Sequence, residues 1–211
     1  RDLKCRVSVA SPRDMDDEVG EAISAFKSGR PVMIYDSDYR EMETDLLWHA
    51  AAATPEVIRR LRNDCGGLLF LAIGDEIGEM FGLPWLQDIH SHKTLVEENP
   101  VLGHLVTNDL QYDSRSAFTL SLNHRETYTG ITDRDRSLTT RRFGELSGEL
   151  LEKGENGAGA KERLGKEFRT PGHIPVCRES PGGLKTRQGH TELAVSIARL
   201  AGLTACTIGA E

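Results

Sequence analysis

The sequence predicts an α/β protein in which a mixed β-sheet system and its flanking helices form a single domain over residues 1–211. Three observations predict it. Apolar residues at helical spacing alternate along the chain with short β-leaning runs, the order that builds layers of helix on sheet. At 211 residues the chain is long enough to bury one substantial core, and two domains would be crowded. With 38% hydrophobic and 28% charged residues it has the balance of an ordinary globular protein, and it carries no internal repeat.

The elements follow in order. Within 14–28, Val19, Ala22, Ile23 and Phe26 give a helical stripe, with Asp14 as cap and Gly29 just past the end. Residues 31–35 read as a strand and 45–50 as a second, which places the acidic stretch between them at a strand-to-strand junction. Thr54 before Pro55 is a helix start, and Val57, Ile58 and Leu61 carry that helix toward Gly66. The apolar run 68–73 is a strand covered on both faces, and 76–81 is a short helix closed by Gly82 and followed by Pro84. Residues 87–115 are polar; His90, His92 and His104 are surface residues, since no acidic or third ligand stands at zinc-like spacing. In 118–123, Phe118, Leu120 and Leu122 alternate with Thr119, Ser121 and Asn123 as a half-buried strand. A helix capped by Asp135 runs through Leu138, Phe143, Leu146 and Leu150, and 153–166 is the least specified part of the chain. Leu193, Ile197, Leu200 and Ala201 form a last helical stripe before Gly202, and 206–208 is a last strand.

Composition narrows the function classes. A net charge of −7 argues against a general nucleic-acid binder, whose affinity rests on Lys and Arg neutralising phosphates. Cys5, Cys65, Cys177 and Cys206 are scattered with no C-x-x-C pair, so reduced thiols are expected. No apolar run is long enough to span a bilayer and the N-terminus has no signal-peptide pattern, which predicts a cytoplasmic protein without membrane contact.

Two stretches carry chemistry. In Arg40-Glu41-Met42-Glu43-Thr44-Asp45, three carboxylates at alternate positions share one side of an extended segment. Like charges this close become tolerable with a hard divalent cation among them; the plain alternative is a solvated acidic loop. An EF-hand is excluded, because the sixth and twelfth positions from Asp36 are Glu41 and Leu47 instead of Gly and Glu. In Arg187-Gln188-Gly189-His190-Thr191-Glu192, a glycine leads into a helix start whose free N–H groups, with Arg187, can hold a phosphate. Nucleotide phosphate loops are not present as motifs. On residue type alone His173, after Pro171-Gly172, reads as a turn residue and His190 as a helix-start histidine. Cys65 reads as a buried inert thiol, Trp48 and Tyr128 as core or pocket walls, and Arg136 as a further group within reach of phosphate.

These two stretches, with Arg169-Thr170-Pro171-Gly172-His173 and Asn123-His124-Arg125-Glu126-Thr127-Tyr128-Thr129-Gly130-Ile131-Thr132-Asp133-Arg134-Asp135-Arg136, resemble 3,4-dihydroxy-2-butanone 4-phosphate synthase over residues 19–211. The archaeal branch is the closer likeness, with Met42 and Thr44 where many bacterial members have Asn and Gly. The resemblance implies a Mg²⁺-dependent lyase, tolerant of Mn²⁺, that converts ribulose 5-phosphate to the four-carbon unit of riboflavin synthesis and formate through an enediolate. It implies Glu41 and His190 as metal ligands and His173 and Glu211 as acid/base groups. Arg40, Glu41, Asp45, Arg187, Gln188, Gly189, His190, Thr191 and Glu211 are implied to surround the substrate, in a homodimer with its sites near the subunit interface. Two rivals stand beside it: a non-catalytic phosphosugar-binding homologue, and a metal-dependent ketose-phosphate isomerase or aldolase that releases no formate.

Overall fold

A computed structural model describes residues 12–211, with side chains from Asp17 onward, so Cys5 and the side chain of Asp14 lie outside the described residues. The chain runs α1 (Pro12–Lys27), β1 (Val32–Tyr35), β2 (Thr44–His49), α2 (Pro55–Asp64), β3 (Phe70–Ile73) and α3 (Asp75–Phe81). Three short helices follow, α4 (Leu86–His90), α5 (Lys93–Glu98) and α6 (Val101–His104), and then β4 (Phe118–His124). The last third is α7 (Asp133–Glu152), α8 (Gly157–Glu167), β5 (Phe168–Arg178), α9 (His190–Leu200) and β6 (Cys206–Ala210).

The six strands form one mixed sheet in the order β1-β2-β6-β3-β5-β4, in which β3 and β5 pair in parallel and every other neighbour antiparallel. Because side chains alternate across a sheet, its two faces feed two cores. Trp48, Leu71, Ile73, Ile208 and Ala210 point into one with Ile58 and Leu61 of α2 and Phe143, Leu146 and Leu150 of α7. Leu47 and Ala72, their neighbours in sequence, point into the other with Phe26 of α1 and Ala194, Val195 and Ala198 of α9. The small residues of α9 let it lie close on the sheet, so the loop before it is brought to the ends of β1 and β2.

The predicted fold class holds, and so do the caps made by local chemistry. Thr54 Oγ1 accepts from the Val57 N–H at 3.2 Å with Pro55 at the first helical position, and Gly82 closes α3 in the left-handed region at φ 62°. Other expectations are corrected. The start of α7 is capped by Thr132, whose hydroxyl accepts from the Asp135 N–H at 3.1 Å. Asp135 instead turns back to accept from the N–H groups of Gly130 and Thr129 at 2.9 and 3.2 Å. The run expected as a strand from 68 begins at Phe70, and Leu68 is exposed. In β4 the alternation is interrupted by register shifts, so Phe118 is exposed and Thr119 buried. The unspecified 153–166 segment contains α8, and the polar 87–115 segment holds three short helices in which all three histidines are exposed, as expected. Trp48 is core, whereas Tyr128 is 94% exposed.

Candidate metal centre and anion cleft

β1 and β2 form a hairpin whose last pair is Tyr35 with Thr44, so residues 36–43 make the connection. The segment is a turn, not the extended run expected from the alternation: Met42 sits in the left-handed region at φ 57°. Asp36 ties it together by accepting from the N–H groups of Glu41 at 2.8 Å and Glu43 at 3.1 Å. Burial works against ionising Asp36, but these N–H donors outweigh it and hold its carboxyl at about 2. The turn therefore sets Asp36 and Glu41 near His190, with Glu41 and Glu43 close enough to act on the charge of Asp45 in β2, although the strand geometry expected is absent. The pairing of Leu46 with Ala210 sets Glu211 beside Asp45 at the end of β6. Burial of Asp45 is the main reason its carboxyl is raised to about 6; His190 opposes the rise, and Glu211, Glu41 and Glu43 add to it.

From the other side, Gly189 ends the preceding loop and His190 opens α9. A Cβ at Gly189 would overlap the guanidinium of Arg187 and crowd that of Arg40, so only glycine lets both approach this helix start. His190 is buried, with Nε2 3.1 Å from the Glu43 carbonyl and Nδ1 3.2 Å from Glu41 Oε2 and 3.9 Å from Asp45 Oδ2. A carbonyl only accepts, so Nε2 carries a proton, and Nδ1 is turned toward carboxylate oxygens, which also only accept. Lone pair against anion is repulsive unless a proton or a cation stands between them. Asp45 Oδ2 is moreover buried with no hydrogen-bond partner. Ligand atoms of Asp36, Glu41 and His190 lie within 4.8 Å of one another. Two carboxylates and one imidazole held in its tautomer by a backbone carbonyl are a donor set that fits a divalent ion of the Mg²⁺ or Mn²⁺ kind.

Next to this centre a cleft of about 270 Å³ is lined by Glu41, Asp113, Arg187, His190 and Thr191, with Phe70 and Phe118 as apolar walls. Arg187 donates from Nη1 to Glu192 Oε2 at 2.6 Å and from Nε to Asp113 Oδ2 at 2.8 Å. Arg40 Nη2 donates to the same Asp113 oxygen at 2.8 Å. Cys177 also lines the cleft, but burial pushes its thiol up to about 12 and keeps it neutral. Cys65 is partly buried, and burial with the charges of Asp64 and Asp45 raises its thiol as well. Glu41, Arg187, His190 and Thr191 line the cleft, and Arg40, Asp45, Gly189 and Glu211 adjoin it through Asp113, His190, the two guanidinium groups and the end of β6, while the Gln188 side chain is exposed. Arg136 is paired with Asp133 and is not among the residues lining the cleft.

His173 is placed elsewhere. Register with β4 runs from Ile174 opposite Leu122 directly to Arg169 opposite Asn123, so residues 170–173 are extra and protrude from β5. The turn expected at Pro171-Gly172 is this protrusion, inside a strand that the sequence did not reveal. Gly172 passes so close to the backbone of Leu122 that any Cβ would clash. Asn123 grips His173 twice: Oδ1 accepts its N–H at 2.9 Å, and Nδ2 lies 3.1 Å from ring Nδ1. An amide nitrogen only donates, so Nδ1 accepts and the proton sits on the exposed Nε2. His173 is not among the residues lining the cleft of its own chain.

Three participants escaped sequence reasoning: Asp36 as a third acidic donor, Asp113, and Glu192 behind Arg187. Asp36 had a local signal, a carboxylate at the strand end four residues before Arg40. Asp113 had none.

Fold and site together define an α/β protein with a carboxylate–imidazole cation centre opening on an arginine-lined cleft. The chain belongs to the 3,4-dihydroxy-2-butanone 4-phosphate synthase family, whose pattern residues 20–211 match. It is 39% identical over 193 residues to the 3,4-dihydroxy-2-butanone 4-phosphate synthase of Methanothermobacter thermautotrophicus, covering 92% of this chain and 80% of that one. To the Haemophilus influenzae (strain PittEE) synthase it is 30% identical over 198 residues, covering 92% and 76%. The fold is similar, with a TM-score of 0.67 and 27% identity, to a 3,4-dihydroxy-2-butanone 4-phosphate synthase crystallised in complex with two magnesium ions, over 92% of this chain and 74% of that chain.

Proposed function

We propose that this chain is a one-domain cytoplasmic enzyme that converts ribulose 5-phosphate to 3,4-dihydroxy-2-butanone 4-phosphate and formate, with Mg²⁺ as its ion. The observation that carries the reading is His190 Nδ1 turned on Glu41 and Asp45, with Asp36 and Glu41 within ligand distance of it, beside two guanidinium groups. Glu41 and His190 hold the ion, with Asp36 behind them. When bound, such an ion draws charge from adjacent oxygens of a ketose and acidifies the neighbouring carbon-bound proton. Arg187, the start of α9 and Thr191 receive the phosphate end, which leaves the hydroxyl-bearing carbons toward Arg40, Asp45 and Glu211. Asp45, with its carboxyl raised toward neutrality, and Glu211 are placed to accept and return protons at those carbons.

His173 supplies the remaining acid/base group through its exposed Nε2–H, and we place it in the cleft of the other chain of a homodimer. Two facts support this: it is held by two contacts from Asn123, and it is exposed and not among the residues lining the cleft of its own chain. The deciding experiment is incubation of the protein with ribulose 5-phosphate and Mg²⁺, following formate. Formate should appear, EDTA should abolish it and Mg²⁺ should restore it. Sugar consumed without formate would convert the reading to an isomerase or aldolase, and an untouched sugar would convert it to a binding protein.

A further inference from the structure

A single oxygen, Oδ2 of Asp113, takes donors from both arginines of the cleft: Arg40 Nη2 at 2.8 Å, Arg187 Nε at 2.8 Å and Arg187 Nη2 at 2.7 Å. This is the way a phosphate oxygen is clasped between two guanidinium groups. The carboxylates on either side of it are built differently. Glu192, which holds Arg187 from behind, is fully buried on α9, and its second oxygen accepts the Ser180 N–H at 2.9 Å. Asp113 comes from the irregular segment between α6 and β4. That segment is pinned further along, where Arg115 stacks 3.7 Å over Trp85 and the Ser116 N–H donates to Gln87 Oε1 at 3.2 Å. Nearer its start Gln87 Nε2 donates to the Thr107 carbonyl at 3.4 Å, and among the described residues Asp113 itself is hydrogen-bonded only by the two arginines, with Arg40 5.9 Å over the neighbouring Tyr112 ring. A second observation bears on a ligand: Arg40 Nη1 is buried and makes no hydrogen bond among the described residues, although it is ion-paired with Glu41 Oε1 at 2.8 Å and Asp36 Oδ2 at 3.7 Å.

We propose that Asp113 is an internal counter-anion, a carboxylate standing where an oxygen of the substrate's phosphate binds, which leaves the arginines when the phosphate enters. The inference rests on the placing of the phosphate at Arg187 under the proposed function. Both anions cannot share these guanidinium groups, because a carboxylate and a phosphate dianion in contact repel. The phosphate wins because its several oxygens accept more donors, Arg40 Nη1 and the first N–H groups of α9 among them. A neutral sugar or a small carboxylate offers too little to displace Asp113. The residue therefore sets specificity: the cleft opens to phosphorylated ligands and stays self-paired toward others.

The test is inorganic phosphate binding by titration calorimetry to wild type, Asp113→Asn, Arg187→Ala and the double variant, each checked for folding by thermal melt. Removing the internal competitor should tighten phosphate about tenfold or more in Asp113→Asn, the scale of a lost charge-assisted contact. That gain should vanish when Arg187 is also alanine. Phosphate bound equally or more weakly by Asp113→Asn would overturn the proposal and make Asp113 a fixed support of the two arginines. A gain that survives in the double variant would overturn it too. Should Asp113→Asn fail to fold, Asp113→Ser gives the same reading. Phosphate binding does not depend on turnover, so a wild type that yields no formate removes the proposed reaction while the phosphate titrations still decide the role of Asp113.

Discussion

Two histidines of one chain are prepared for different work by their neighbours. His190 is buried, its Nε2 proton fixed by the Glu43 carbonyl and its Nδ1 turned on carboxylates. His173 is exposed, its Nδ1 occupied by Asn123 and its Nε2–H free. Titration with Mn²⁺ should therefore separate them. Glu41→Gln or His190→Ala should weaken Mn²⁺ by at least about tenfold and lose activity with it, since each removes a donor. His173→Ala should bind Mn²⁺ as wild type does while turnover falls about 10² to 10⁴-fold, the usual contribution of a general acid or base. If His173→Ala lost the ion and His190→Ala kept it, the two roles would be exchanged. The residues legible in the sequence were those in compact motifs, such as Glu41 with Arg40 or Arg187 with Gly189 and His190. Asp113 was not, because its meaning lies in contacts to residues 73 and 74 positions away, and an aspartate in a polar loop carries no local mark of them.

At the scale of elements, the acidic stretch has a geometry other than the one its alternation led us to expect. Alternation along a strand was expected to align Glu41, Glu43 and Asp45; instead a turn pinned by Asp36, with Met42 at φ 57°, sets Asp36 and Glu41 against His190. A β-carbon in that region costs roughly 1 kcal/mol, and asparagine tolerates it better than methionine. Met42 is exposed, so its side chain gives little in return. Met42→Asn should raise stability by about 0.5–1 kcal/mol without altering metal binding, measured by urea unfolding; an unchanged or lowered midpoint would show that Met42 makes a contact that outweighs the strain. The strand most important to His173, β5, was hidden for a related reason. Its residues 170–173 protrude, so the chain there shows Thr-Pro-Gly-His, a turn composition, in the middle of an eleven-residue strand. The glycines of α8 hid that helix in the same way, whereas α2, with a Thr-Pro start and a clear stripe, was legible throughout.

On the scale of the whole molecule, the sheet separates the two groups that the proposed chemistry needs together. The cation centre lies where β1, β2 and β6 meet the start of α9, at one side of the strand order. His173 protrudes from β5, next to the edge strand β4 at the other. Flanking helices pack the two cores on opposite faces of the same sheet, and although the cleft takes walls from Phe70, Phe118 and Cys177, His173 is not among its lining residues. In the proposed two-fold pair of chains each contact is made twice, and each cleft would receive His173 of the partner subunit. The consequence can be measured by mixing two inactive variants. His190→Ala lacks a metal ligand and His173→Ala lacks the acid/base group, so each alone should be dead. In a mixed dimer one cleft has lost both groups and the other has both intact. With random exchange of subunits half of the dimers are mixed, and the mixture should recover roughly a quarter of wild-type activity. If each His173 served its own chain, every cleft in the mixture would lack one group or the other, and no activity would return at any mixing ratio.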